Sequence, residues 1–180
     1  MAKSKKITKR YYRKSGRWSS NIQEISTSVV NADPGANFVT YTLATNPVQD
    51  ITTTSQVFTT KNFDISFTLE QSSNSGATTN PVNIEDMTAY VMYVPQGMNV
   101  TAAYNNQHPE YVLNYKYYGS PSTDSQQQFQ PYKIRTRLAR KLNTGDSIVL
   151  FIKYNYVSQT GVTGTIFEIH GVVRWWTKAN

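Results

Sequence analysis

The chain has 180 residues, with 18 lysines and arginines against 11 acids, two histidines and no cysteine. That length suits one domain with a self-sufficient core, and the missing cysteines exclude a disulfide framework, a thiolate metal site and a cysteine nucleophile. The amino terminus is basic but lacks the apolar core of a signal peptide, and no later run approaches the roughly 20 apolar residues that span a bilayer; the chain reads as soluble and non-secreted, with no membrane insertion.

The charge divides unevenly. Residues 1–18 hold Lys3, Lys5, Lys6, Lys9, Arg10, Arg13, Lys14 and Arg17 with no acid, a net of +8, while the other 162 residues sum to −1. Tyr11, Tyr12 and Trp18 interleave with these cations. Ammonium and guanidinium groups neutralise phosphates and aromatic faces stack on unpaired bases, so the segment is read as a nucleic-acid-binding arm, residues 1–20, ahead of a folded body, residues 21–180. A solubilising tail or a nuclear-import signal is the alternative, and import is compatible with cargo binding.

From residue 21 onward, apolar residues recur with period two amid Thr, Val, Ile, Tyr and Phe. Strands are expected at 22–30 and 37–45, then at 61–70, where Phe63, Ile65, Phe67 and Leu69 share one face and Asn62, Asp64, Ser66, Thr68 and Glu70 the other. Another follows at 87–94, and 109–118 reads as a short strand or a helical turn. Strands at 132–140, 146–157 and 164–177 complete about eight elements. The continuous run Ile148-Val149-Leu150-Phe151-Ile152 predicts a central strand covered on both faces. Turn chemistry marks Asp33-Pro34-Gly35, Ser72–Pro81, Ser120–Pro131 and Asn143-Thr144-Gly145-Asp146, the last short enough to make 132–140 and 146–157 a hairpin. With no long amphipathic helix, heptad or repeat, the expected fold is all-β: a single eight-stranded antiparallel jelly-roll sandwich, although another Greek-key sandwich would use the same strand count.

Two further clusters stand out. Lys133, Arg135, Arg137, Arg140 and Lys141 form a run of bases without an acid; Lys133, Arg135 and Arg137 share one face of a strand, and Ile134, Thr136 and Leu138 the other. This run suits nucleic-acid contact or an intersubunit ion pair, against the alternative of a solvated, charge-protected edge. Arg174, Trp175 and Trp176 place adjacent aromatics on opposite faces, one available to the core and one to a subunit interface. No catalytic residues are proposed. His108 and His170 lie outside any nucleophile elbow, the Glu168–His170 pair lacks a third metal ligand, and no Gly-rich phosphate loop occurs, so no metal or cofactor is expected. Asn99-Val100-Thr101 matches a glycosylation sequon by chance.

Several segments resemble the capsid proteins of small circular single-stranded DNA viruses, the group containing the circoviruses. They are Arg10-Tyr11-Tyr12-Arg13-Lys14 with Trp18-Ser19-Ser20-Asn21-Ile22, then Met92-Tyr93-Val94-Pro95-Gln96-Gly97 and His108-Pro109-Glu110-Tyr111-Val112. Near the carboxyl end they are the stretch from Arg137 to Ile148 and that from Gly171 to Asn180. The resemblance implies a single jelly roll, a 60-subunit icosahedral shell and an internal arm that meets viral single-stranded DNA and directs nuclear import. Implied partners are further copies of the chain, host import machinery and a cell-surface receptor; implied locations are the virion and, during assembly, the host nucleus. The chain is shorter than many circovirus coat proteins and its arm lacks a long arginine tract. Small satellite RNA virus coats share the architecture, which makes RNA the alternative cargo. From other classes, a cellular single-strand-binding module would use the same arm and the 13 tyrosines, and a carbohydrate-binding or hydrolytic jelly roll would leave the arm unexplained.

Overall fold

A computed structural model describes residues 17–31, 35–46, 57–74, 83–119, 131–157 and 165–179. Among them are nine strands: β1 Ser19–Asn31, β2 Gly35–Thr45, β3 Phe58–Asn74, β4 Asn83–Val94, β5 Val112–Gly119, β6 Tyr132–Thr136, β7 Arg140–Leu142, β8 Ser147–Val157 and β9 Thr165–Ala179. One sheet runs β1-β9-β3-β6, with β7 also on β3, and the other runs β2-β8-β4-β5. All pairings are antiparallel; β1 with β9, β2 with β8, β3 with β6 and β7, and β4 with β5 are nested, and β3 with β9 and β4 with β8 join these pairs into the two sheets. A long four-pair hairpin rolled into two facing sheets has this connectivity, which is the jelly roll.

The period-two pattern decides which side chains meet between the sheets. Phe63, Ile65, Phe67 and Leu69 of β3 are buried as expected, and pack with Ile25, Phe167, Ile169 and Val173 against Ile84, Met87, Ala89, Val91, Leu150 and Ile152 of the other sheet. The rings of Tyr154 and Phe167 meet edge to face across the gap at 5.3 Å. The apolar run of β8 is central, as its composition predicts, because its second face is also covered. Val149 and Phe151 pack with Met92, Val94 and the fully buried Tyr104, over which Met98, Val100, Tyr111 and Val112 close. That cover is the β4–β5 connection, with the helical turn α1 Tyr104–Gln107 and a 3-10 turn at Pro109–Tyr111. Segment 109–118 therefore contains both of its expected alternatives, a turn leading into β5.

The sandwich is also clipped along its sides. Tyr41 of β2 donates its hydroxyl to the Glu24 carbonyl of β1 at 2.7 Å. On the opposite side, Tyr118 of β5 donates to the Lys133 carbonyl of β6 at 2.8 Å, and Asn114 donates to the carbonyl of Arg135. Edge carbonyls of the first sheet thus find donors on the second, which blunts these edges against stray pairing.

Three expectations need correction. The predicted strand 132–140 is broken: β6 pairs with Phe63–Phe67 of β3 and β7 with Phe58–Thr60. Between these registers β3 carries a bulge in which Asn62 adopts φ 54°, a left-handed conformation that Asn tolerates. The partner strand skips the same stretch, with Leu138 N donating to the Thr136 hydroxyl and the Leu138 side chain turned to solvent, 56% exposed, rather than into the core. Second, 132–140 and 146–157 do not form a hairpin. The turn Asn143–Asp146, closed by Asp146 N to the Asn143 carbonyl at 3.0 Å, carries the chain from one sheet to the other. Third, β1 begins at Ser19, ahead of the expected strand start at 22, and its first residues Ser19 and Ser20 pair with Thr177 and Trp176. The expected turns at 33–34, 75–81 and 120–130 lie outside the described residues.

Candidate functional site

Strand alternation and register build one cationic surface on the outer face of the first sheet. In β9, Val173 points into the core, so Val172, Arg174, Trp176 and Lys178 point out. Arg174 is the cross-strand neighbour of Ile22 on one side and of Asp64 on the other, and Asp64 in turn faces Arg135. Two residues along, Val172 neighbours Ser66, and Ser66 neighbours Lys133. Ile22, Asp64, Ser66, Lys133, Arg135, Val172 and Arg174 accordingly line a shallow groove. A second, adjoining groove is lined by Asn62, Asp64, Arg135, Arg137 and Trp176.

Beyond it, Lys61 is the cross-strand neighbour of Trp176, and its ammonium lies 3.9 Å from the ring centroid of Trp18. Trp18 immediately precedes β1 and is 38% exposed. Because Leu142 is buried, its neighbour Lys141 points outward, and Thr59 joins Lys141 to Lys178 across the sheet. Lys61, Lys133, Arg135, Arg137, Lys141, Arg174 and Lys178 thus share this half of the face with two acids among the described residues, Asp64 at its centre and Glu24 on β1 beside Val172.

Asp64 organises more than it neutralises. Its Oδ1 accepts from Nε of Arg135 at 2.9 Å, with both side chains well exposed, so the pair adds little stability. The bond uses Nε and fixes the plane of the guanidinium, leaving the paired terminal nitrogens of the fork outside that contact. The Arg174 guanidinium sits 6.0 Å over the Trp176 ring. Such a surface can neutralise phosphates and offer an aromatic face beside them.

The sequence clusters are partly joined and partly separated. Lys133, Arg135 and Arg137 do lie together, although Arg137 falls past the end of β6. Arg140 leaves the group: its guanidinium stacks 4.1 Å from the ring centroid of Tyr93. Of the tryptophan pair, Trp175 turns inward and stacks on Phe63, centroids 6.2 Å apart and planes within 6°, so Trp176 alone remains for an external contact. Lys3, Lys5, Lys6, Lys9, Arg10, Tyr11, Tyr12, Arg13 and Lys14 lie outside the described residues, while Arg17 and Trp18 lie within them. Sequence reasoning missed Lys61 and Lys178 and did not connect Arg174 with Lys133. For Arg174, Trp176 and Lys178 the signal was present, since they alternate on one strand; Lys61 needed the register across β3 and β9. The expected Glu168–His170 pair is formed, Oε2 to Nε2 at 3.2 Å, and His108 similarly contacts Glu110 at 3.3 Å.

No family model matches the chain, and no curated protein matches it. Among solved structures it is similar to one of turnip yellow mosaic virus, at 12% identity over 87% of this chain and 92% of that one, with a TM-score of 0.37. It is also similar to one of infectious bursal disease virus, Gt strain, at 7% identity over 90% of this chain and 33% of that one, with a TM-score of 0.34. Likeness at that level carries no argument about function. The functional reading rests on this chain's own residues.

Proposed function

We propose that the protein is a viral coat protein that assembles with copies of itself into a closed shell and packages a single-stranded nucleic acid through its basic arm. The observation that carries this reading is the division of charge about the fold. Residues 1–18 bring +8 to a body of net −1, and the chain enters that body at Trp18, at the cationic end of the first sheet. A jelly roll is one architecture of viral shells, shared with lectins and cupins, so the fold alone does not choose among them. The arm and the cationic face do: a polyanion is the ligand they fit, and sugar recognition leaves both unexplained. Single-stranded DNA is the cargo implied by the resemblance to circular single-stranded DNA virus capsids, with RNA the alternative. The same resemblance implies 60 subunits, nuclear import through the arm, and a virion location.

The test is packaging. Protein expressed in cells should carry nucleic acid that resists nuclease and sediments with it, and neutralising four of the arm cations should cut that cargo sharply. Nucleic acid that is fully digested in both proteins would contradict the reading and favour a small single-strand-binding module.

A further inference from the structure

We propose that the outer face of the first sheet is itself a site for single-stranded nucleic acid, separate from the arm, in which Lys133, Arg137 and Arg174 hold phosphates and Trp176 stacks an unpaired base. This rests on the reading of the chain as a protein that packages a polyanion, and it adds a second point of contact on the folded body.

Four observations carry it. The β4–β5 connection covers the middle of the outer face of the second sheet, over Val149 and Phe151, whereas on the first sheet no described segment lies over Ile22 and Val172, which stay 61% and 43% exposed. The open face carries seven bases among the described residues, and of its acids Glu24 neighbours Val172 and Glu168 is bonded to His170, while Asp64 sits between Arg174 and Arg135 in the register and is bonded to Arg135. Trp176 lines the groove that also contains Arg137 and Arg135, so an aromatic surface and phosphate-binding groups lie side by side. Finally, the strip begins at Lys61 and at Trp18, immediately ahead of β1.

The phosphate-binding and stacking groups are spread from β9 to β6 across two strand spacings, roughly 10 Å, which is wider than one bound ion and suits more than one nucleotide. A duplex would present phosphates but hide its base faces from Trp176, and the exposed Ile22 and Val172 suit the apolar side of a sugar or base. These features select an unpaired strand.

The test uses full-length protein titrated with mixed-sequence single-stranded DNA over a range of salt. Each phosphate neutralised on a single strand contributes about −0.7 to the slope of log affinity against log salt, so the triple variant Lys133→Gln, Arg137→Gln, Arg174→Gln should lower the slope magnitude by about 2 while the arm stays intact. Trp176→Ala should weaken binding roughly 5- to 150-fold with little change in slope, and Trp176→Phe should restore most of it. Tyr115→Ala, at a residue 64% exposed on the second sheet, should leave both unchanged. Photocrosslinking of the unaltered protein to oligothymidine reports the site without any variant: adducts should fall within residues 165–178 as well as in the arm. Adducts confined to the arm, an unchanged slope in the triple variant, or equal binding of duplex with no effect of Trp176→Ala would each overturn the proposal. Shells that form and fill normally with the triple variant would sink this site and leave the coat reading standing. Binding here by a protein that never assembles would do the reverse.

Discussion

A buried carboxylate needs donors on every side that lacks water, and Asp146 has them. Its Oδ2 accepts from the Tyr93 hydroxyl at 2.7 Å and from Asn143 N at 2.8 Å, and its Oδ1 accepts from Gln96 N at 3.0 Å. Asn46 closes the other side, its N donating to the Asp146 carbonyl and its side-chain amide to the Leu142 carbonyl. The residue therefore ties the turn between the sheets to β2 and β4. Asp146→Ala should cost at least about 2 kcal/mol in chemical denaturation, because it strands buried donors, whereas Tyr93→Phe should cost about 1. Tyr93, Tyr104 and Tyr118 have their phenols pushed up to about 12, in each case first by burial; for Tyr93 the bond to Asp146 and its charge add to this, opposed by Arg140. Since these values lie above the ordinary 10, the three phenols contribute stability that is fully present below pH 10 and is lost as pH rises through 12. Denaturation midpoints should fall across that window, and Tyr93→Phe should soften the fall; a midpoint flat from pH 10 to 12 would show that these phenols ionise as readily folded as unfolded.

At the scale of elements, the join between β3 and β9 limits what the first sheet tolerates. A Cβ on Gly171 would lie 2.3 Å from the Ser66 carbonyl oxygen and 2.8 Å from Cα of Phe67, both backbone atoms that cannot swing away. Gly171→Ala should therefore lower stability by at least about 1–3 kcal/mol in thermal or chemical melts, while Ser26→Ala on the exposed face of β1 should change little. A Gly171→Ala protein as stable as the parent would mean that the two strands are further apart than described. Such elements differ in how legible they are in sequence. Strand 61–70 was readable because alternating Phe, Ile, Phe and Leu leave one possible inward face, and β8 because five consecutive apolar residues need cover on both sides. The break at 137–139 was not, because its cause sits 75 residues earlier in chain order, in the bulge around Asn62. The false hairpin has a related origin: a four-residue turn specifies a reversal but not whether the next strand joins the same sheet or the facing one. The cationic face was half visible, through Lys133, Arg135 and Arg137, and became whole only when the register set Arg174 and Lys61 beside them.

For the molecule as a whole, the proposed division is between a body that folds and an arm that binds. Deleting residues 1–16 retains Trp18 over Lys61 and every described strand, so the thermal transition should move little, while the slope of binding against salt should fall by about 5, near 0.7 for each of the seven cations removed. Loss of cooperative melting in the truncated chain would instead make the arm structural. The central claim, that copies of this chain close into a shell around a single strand, is tested most directly by electron microscopy of purified full-length protein with and without added single-stranded DNA. Closed particles of one diameter, filled when the DNA is present, are the expected result; protein that stays monomeric across pH and salt, with DNA or without it, would contradict the account.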